Sequence, residues 1–302
     1  MEIQLEQADR TQQTFQLPDG RTLGYAEYGD PLGRPLFYFH GWPSSRIEFG
    51  GLNREDIASR LGVRVIAVDR PGFGLSSYQP HHRFADWPKD ITCLADHLGF
   101  DRFAIMGYSA SGPYTLACAH QLADRLTAVG AVSIAAQPFS APGATKGMPT
   151  IMLWTTARIH PRLTWLLFKM MGNTIKNAPR DQLPKSAKQA MMAEADFEFI
   201  KSHPYVMANN MDGGVEALRQ GGLGPAEAGA LYWKPWGFRL EDIRMKVHVW
   251  HGEEDLNAPF AAHGKVLAEK LPDVAAKFYP GEGHLSLIYK YLETIIQTLI
   301  PS

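Results

Sequence analysis

The sequence predicts an α/β fold: a mostly parallel, doubly wound sheet with helices on both faces, interrupted by an inserted helical segment. Three observations carry this. Short apolar runs alternate with helix-like segments through most of the chain. The central runs are continuously apolar rather than alternating, as strands buried on both faces must be. The alternation stops between about Gln137 and Phe238 and then resumes, so the sheet-forming part is split in sequence.

Seven segments read as strands: Thr22–Tyr28, Leu36–Phe39, Val63–Val68, Phe103–Met106, Ala128–Ile134, Val247–Trp250 and Ala276–Tyr279. Helical segments such as Asp90–Leu98 and Gly112–Leu122 lie between them. The clearest helix is the last, where Leu285, Ile288, Tyr289, Leu292, Ile295, Ile296 and Leu299 step by three and four along one face.

The stretch 137–238 reads as a helical cap, leaving a core formed by 1–136 and 239–302. It holds Met148, Met152, Met170, Met171, Met191, Met192, Met207 and Met211, eight of the chain's 11 methionines. Ser186 and Gln189 have the spacing of a capping box, and Gly221–Gly222–Leu223–Gly224–Pro225 breaks the pattern near its end.

Composition narrows the partners. The chain is 45% hydrophobic and 20% charged, which suits a large core and excludes wholesale disorder. With 30 basic and 31 acidic side chains its net charge is −1, which gives no electrostatic footprint for nucleic acid or an anionic membrane. Cys93 and Cys118 cannot build a disulfide framework and read as buried free thiols. The first ten residues are polar and acidic, unlike a secretory signal, and no run approaches the roughly 18 apolar residues of a membrane span. The expectation is a soluble, cytoplasmic protein with a small-molecule substrate. Neither a cofactor nor a metal is expected. His81 and His82 are adjacent, so their side chains diverge, and Gly72–Phe73–Gly74 lacks the third glycine of a dinucleotide loop.

One segment carries chemistry. Gly107–Tyr108–Ser109–Ala110–Ser111–Gly112 follows an apolar strand and precedes a helix. A tight strand–turn–helix of this kind lifts a serine hydroxyl to the carboxyl edge of a sheet, and it needs small neighbours such as Gly107. Ser111 stands where the usual pattern has glycine.

A serine hydroxyl needs a base, and the base needs an orienting carboxylate. Asp255 follows the strand Val247–Trp250 and is the candidate acid, with Glu253 and Glu254 as competitors. His284 follows Gly281–Glu282–Gly283, reads as a loop residue directly before the last helix, and is the candidate base. The glycines would let that loop approach another backbone closely. His263 also follows Asp255, but reads as part of a flanking helix.

Acyl transfer also requires two N–H groups for a developing oxyanion. Ala110 supplies one, at a helix N-terminus. Trp42 supplies the other, from His40–Gly41–Trp42–Pro43, since Pro43 cannot donate. His40 reads as a loop brace rather than the base.

In these residues the chain resembles the α/β-hydrolase superfamily. The matching features are His40–Gly41–Trp42–Pro43, Asp69–Arg70–Pro71–Gly72–Phe73–Gly74–Leu75–Ser76, Ser109 in its turn, Asp255 four before Pro259, and Gly283–His284. Trp236–Gly237–Phe238 resembles the return from cap to core in capped members. The resemblance implies an eight-stranded, mostly parallel sheet, a Ser–His–Asp hydrolase and no cofactor. Epoxide hydrolases and haloalkane dehalogenases share the scaffold but use an aspartate where this chain has Ser109. The expected reaction is cleavage of a carboxylic ester of a small, largely apolar substrate. Carbon–carbon or lactone hydrolysis and perhydrolysis use the same residues, and a hydrolase-like small-molecule receptor and a non-catalytic scaffold are the other readings.

Overall fold

The computed structural model describes residues 9–53, 56–177 and 192–301. Eight strands form one sheet in the order β1-β2-β4-β3-β5-β6-β7-β8. They are β1 (Gln13–Gln16), β2 (Thr22–Gly29), β3 (Arg34–Phe39), β4 (Val63–Val68), β5 (Phe103–Tyr108), β6 (Leu126–Val132), β7 (Val247–Gly252) and β8 (Val274–Tyr279). Pairs β1·β2 and β2·β4 are antiparallel, and every pairing from β4 to β8 is parallel.

The central strands are apolar throughout because helices cover both faces. Along β5, Phe103 and Ile105 join one core, while Ala104, Met106 and Tyr108 join the other. The first core is completed by α3 (Trp87–His97), α4 (Gly112–Gln121) and α10 (Gly264–Lys270). The second is completed by α1 (Glu48–Leu52), α2 (Ile57–Arg60) and α11 (His284–Leu299). The stripe expected on the last helix is the face that packs: Leu292, Ile295, Ile296 and Leu299 are all buried. Burying each such side chain is worth about 1.5–3 kcal/mol. Strand β6 meets this helix at Gly130, where a Cβ would lie 2.7 Å from Leu299 Cδ1.

Three expectations are corrected. An eighth strand, β1, precedes the seven read from sequence; it is a four-residue edge strand, Gln-Thr-Phe-Gln, with no apolar run to announce it. The strand read as Ala128–Ile134 is shifted to Leu126–Val132, because Ser133 takes a left-handed φ of 47° and ends the extended backbone. His263 is not within a helix but in the turn before α10, where its ring bridges the Ala136 N–H (3.1 Å) and the Ala144 carbonyl (3.0 Å).

Between β6 and β7 the described residues form α5 (Ile151–Ile159), α6 (Pro161–Lys176), α7 (Glu194–Ser202), α8 (Tyr205–Ala217) and α9 (Leu223–Leu231), with no strand among them. The Ser186–Gln189 pair and Met191 lie outside the described residues. Trp154 on α5 stacks on Trp42 of the core with ring centroids 3.8 Å apart. Arg46, fully buried, joins Asp69 (2.9 Å) to Glu216 of α8 (2.6 Å). Asp69 also accepts the Leu75 N–H at 2.8 Å, and a Cβ on Gly74 (φ 48°) would fall 2.1 Å from the same oxygen. That close approach accounts for glycine in the loop after β4. Among the described residues no helix is long and apolar enough to cross a membrane.

Candidate active site

Ser109 directly follows β5 at the carboxyl edge of the sheet, with φ at 58°, a region that L-residues avoid. The turn is held because its neighbours leave no alternative. A Cβ on Gly107 would lie 1.9 Å from Thr115 Oγ1 and 2.5 Å from Ser111 Oγ. Ser111 itself is helical (φ −72°) and needs no glycine; its hydroxyl accepts from Thr115 Oγ1 at 3.4 Å.

The structure brings three distant side chains together. His284 Nε2 lies 2.8 Å from Ser109 Oγ, and His284 Nδ1 lies 2.7 Å from Asp255 Oδ2. Asp255 Oδ1 accepts the Asn257 and Ala258 N–H groups at 2.8 Å each. Glu253 and Glu254, the competitors, are exposed. His284 is not on a loop: it is the first residue of α11. The loop makes the close backbone approach expected of it, at Gly252, where a Cβ would lie 2.3 Å from the Glu282 carbonyl oxygen, and Gly283 approaches a carboxylate as well: a Cβ there would lie 2.4 Å from Asp196 Oδ1.

Electrostatics favour the roles that geometry allows. Burial pushes the Asp255 carboxyl up, but the His284 charge and hydrogen bond outweigh it and hold it below its ordinary value. Burial disfavours a charged His284, yet the Asp255 charge and hydrogen bond, with Asp196 and Glu48 beyond, raise it overall. Nδ1–H donates to Asp255, so Nε2 carries the lone pair toward Ser109.

Both oxyanion candidates, Trp42 and Ala110, line the same cavity as Ser109 and His284. Ala110 is the second residue of the short turn Ser109–Ser111, so its N–H has no acceptor within that helical turn. The Gly41 N–H donates to Glu48 Oε2 at 3.0 Å and so is already engaged. His40 braces that loop: Nδ1 lies 2.8 Å from the Gly41 carbonyl, and Nε2 accepts the Arg70 N–H at 3.3 Å. Burial, then Arg70, holds His40 well below its ordinary pKa, so it stays neutral.

Four residues escaped the sequence reading. Arg70, fully buried, donates to the carbonyl of Gly41 and to Tyr232 Oη (2.9 Å), and reaches the Ala110 carbonyl at 3.4 Å. It lies within the Asp69–Ser76 segment, but nothing in the spacing says which carbonyls it holds. Glu48 is buried beside Gly41 and accepts from Tyr38 Oη at 2.5 Å; burial raises its carboxyl. His251 is buried and neutral, with Nε2 2.7 Å from the Ala258 carbonyl and 3.5 Å from Asp255. Asp196 reaches the site from α7.

A cavity of about 360 Å³ opens above Ser109 and His284, within the range of small-ligand sites. Leu153, Trp154, Met171, Met207, Met211 and Phe139 are among the residues of its apolar wall. Among the described residues no group of His, Cys, Asp and Glu could hold a metal.

The chain is similar to several known proteins. A bifunctional esterase/perhydrolase of Acinetobacter calcoaceticus is 24% identical over 278 residues, covering 88% of this chain and 90% of that one. A non-heme haloperoxidase of Rhodococcus erythropolis is 34% identical over 101 residues, 33% of its own length. Among solved structures, an esterase from Thermogutta terrifontis (TM-score 0.67, 21% identity, 95% of this chain and 97% of that chain) and an enol-lactonase from Burkholderia xenovorans (0.66, 20%, 95% and 98%) share the fold. The model of the alpha/beta hydrolase family matches residues 36–292, a span running from β3 into α11, and the chain belongs to that family.

Proposed function

We propose that the chain is a serine hydrolase that cleaves carboxylic esters of small, largely apolar substrates through an acyl-enzyme on Ser109. The observation that carries this reading is the unbroken hydrogen-bonded line Ser109–His284–Asp255. His284 Nε2 takes the Ser109 proton as Oγ attacks the ester carbonyl. The N–H groups of Trp42 and Ala110 receive the oxyanion, each such donor contributing roughly 3 kcal/mol to the barrier reduction. His284, now imidazolium and oriented by Asp255, protonates the departing alcohol. A water molecule, deprotonated in turn by Nε2, releases the acid and restores Ser109.

Residues 137–238 act as the cap in this reading, and their methionines and Trp154 set the acyl preference. Unbranched, polarizable methionine side chains at Met171, Met207 and Met211 suit a pocket that adapts to its ligand. A second reading, perhydrolysis, is favoured by the bifunctional relative: hydrogen peroxide would replace water as acceptor of the same acyl group.

Labelling with a fluorophosphonate probe, followed by a panel of p-nitrophenyl esters of rising chain length, tests the reading. Probe attachment at Ser109 and turnover of the acetate or butyrate ester are expected. A chain that neither labels nor turns over any ester is not a serine esterase.

A further inference from the structure

The helical insertion supplies a group to the site that no role yet explains. Asp196, on α7, is 1% exposed and accepts the N–H groups of His284 (2.8 Å), Leu285 (2.9 Å) and Ser286 (2.8 Å). These are three of the donors that the start of a helix leaves without partners. Both carboxylate oxygens are used as acceptors, which favours the ionised form.

The position matters because His284 is the first residue of a 16-residue helix. The positive end of that helix's dipole opposes a second positive charge at the same place. The proposed cycle forms such a charge on His284 twice. A carboxylate seated on the same N–H groups offsets the dipole field and attracts the imidazolium. We propose that Asp196 is a positioning residue for His284: carried in from the insertion, it caps the helix that His284 opens and supports the charge that His284 takes up during turnover. This rests on the Ser109–His284–Asp255 reading.

Other groups face His284. Asp255 and His251 come from β7 and the loop after it, Tyr108 from β5 with its ring 4.9 Å away, and Glu48 from α1. On its own side, Glu282 and Lys290 are paired with each other at 3.0 Å. Asp255 is the stronger influence by contact, and Asp196 adds to it with the same sign.

The test is the pH dependence of kcat/KM for p-nitrophenyl butyrate in the full chain, wild type against Asp196→Asn and Asp196→Ser. Both replacements remove the charge, and serine keeps a helix cap. The expected result is an acid limb displaced to lower pH. At about pH 5.5 the variants then retain roughly 3-fold more of their own plateau than the wild type, while plateau kcat falls about 10-fold. A residue that merely holds the helix in place would not move the limb. An acid limb unmoved, or moved to higher pH, in a folded neutral variant overturns the proposal, as does failure of both variants to fold, which would make Asp196 a strut only. Ser109→Ala run alongside separates the two readings. Undiminished turnover there defeats the triad itself, whereas lost turnover with an unmoved limb in the Asp196 variants defeats only this inference.

Discussion

Ser109 Oγ and His284 Nε2 are 2.8 Å apart although 175 residues separate them in the chain. The serine is lifted by a strained turn at the end of β5, and the histidine is delivered by the first turn of the terminal helix. Removing the hydroxyl while keeping the turn should abolish turnover. Ser109→Ala is expected to lower kcat for p-nitrophenyl butyrate by on the order of 10⁴-fold or more, with the circular dichroism spectrum unchanged. Undiminished hydrolysis by a pure sample would remove Ser109 from the mechanism.

Asp255 separates from its two acidic neighbours by burial. It is 2% exposed and bonded to His284, whereas Glu253 and Glu254 are exposed. Asp255→Asn should cost roughly 10⁴-fold in kcat by favouring the wrong imidazole tautomer. Glu253→Gln and Glu254→Gln should stay within about 2-fold. Steady-state kinetics on the three variants decide the assignment, and a large loss in either glutamine variant would contradict it.

The pH profile follows from the same contact. Attack requires neutral His284, and its neighbours hold the ring above the ordinary value of 6.5. Activity should therefore be full above that raised value and fall about tenfold per unit as pH drops below it. Stability runs the other way. For a raised histidine, the stabilisation is fully present below the unfolded-state value and is lost as pH rises through the folded-state one. A kcat/KM profile between about pH 5 and 9 whose acid limb is centred below 6.5 would contradict this environment.

Arg70 holds the peptide whose N–H is the proposed Trp42 donor, through the Gly41 carbonyl, and it does so entirely out of solvent. Arg70→Met keeps much of the bulk but removes the guanidinium's hydrogen bonds to the Gly41 carbonyl and to Tyr232 Oη. Losing charge-assisted hydrogen bonds of this kind costs about 1.5–3 kcal/mol. Urea unfolding should register that loss, and kcat should fall by roughly 10–100-fold with a smaller change in KM. Kinetics equal to wild type would show that the loop is held without Arg70.

Much of this was legible before any coordinates. Seven of the strands were readable because each is a short, mostly apolar run. The eighth, Gln13–Gln16, was not, since an edge strand half exposed to water needs no apolar signal. The order serine, acid, histidine, each just after a strand, pointed to Ser109, Asp255 and His284 because the carboxyl ends of parallel strands share one rim of the sheet. His284 read as a loop residue because Gly281 and Gly283 suggest a break, yet the helix begins at His284 itself, where Asp196 meets its first N–H groups.

The sequence by itself determined the class of fold, the split of the core around a methionine-rich stretch, and which serine, acid and histidine were candidates. These are local matters of periodicity, turn chemistry and chain order. Only the tertiary structure decided that Asp196 from α7 meets His284, that Glu48 lies beside Gly41, and that Arg70 reaches from the loop after β4 to the carbonyls of Gly41 and Ala110. Such partners are chosen by packing between segments far apart in the chain. A buried charge finds the nearest group that can satisfy it in space, and no spacing along the sequence encodes that distance.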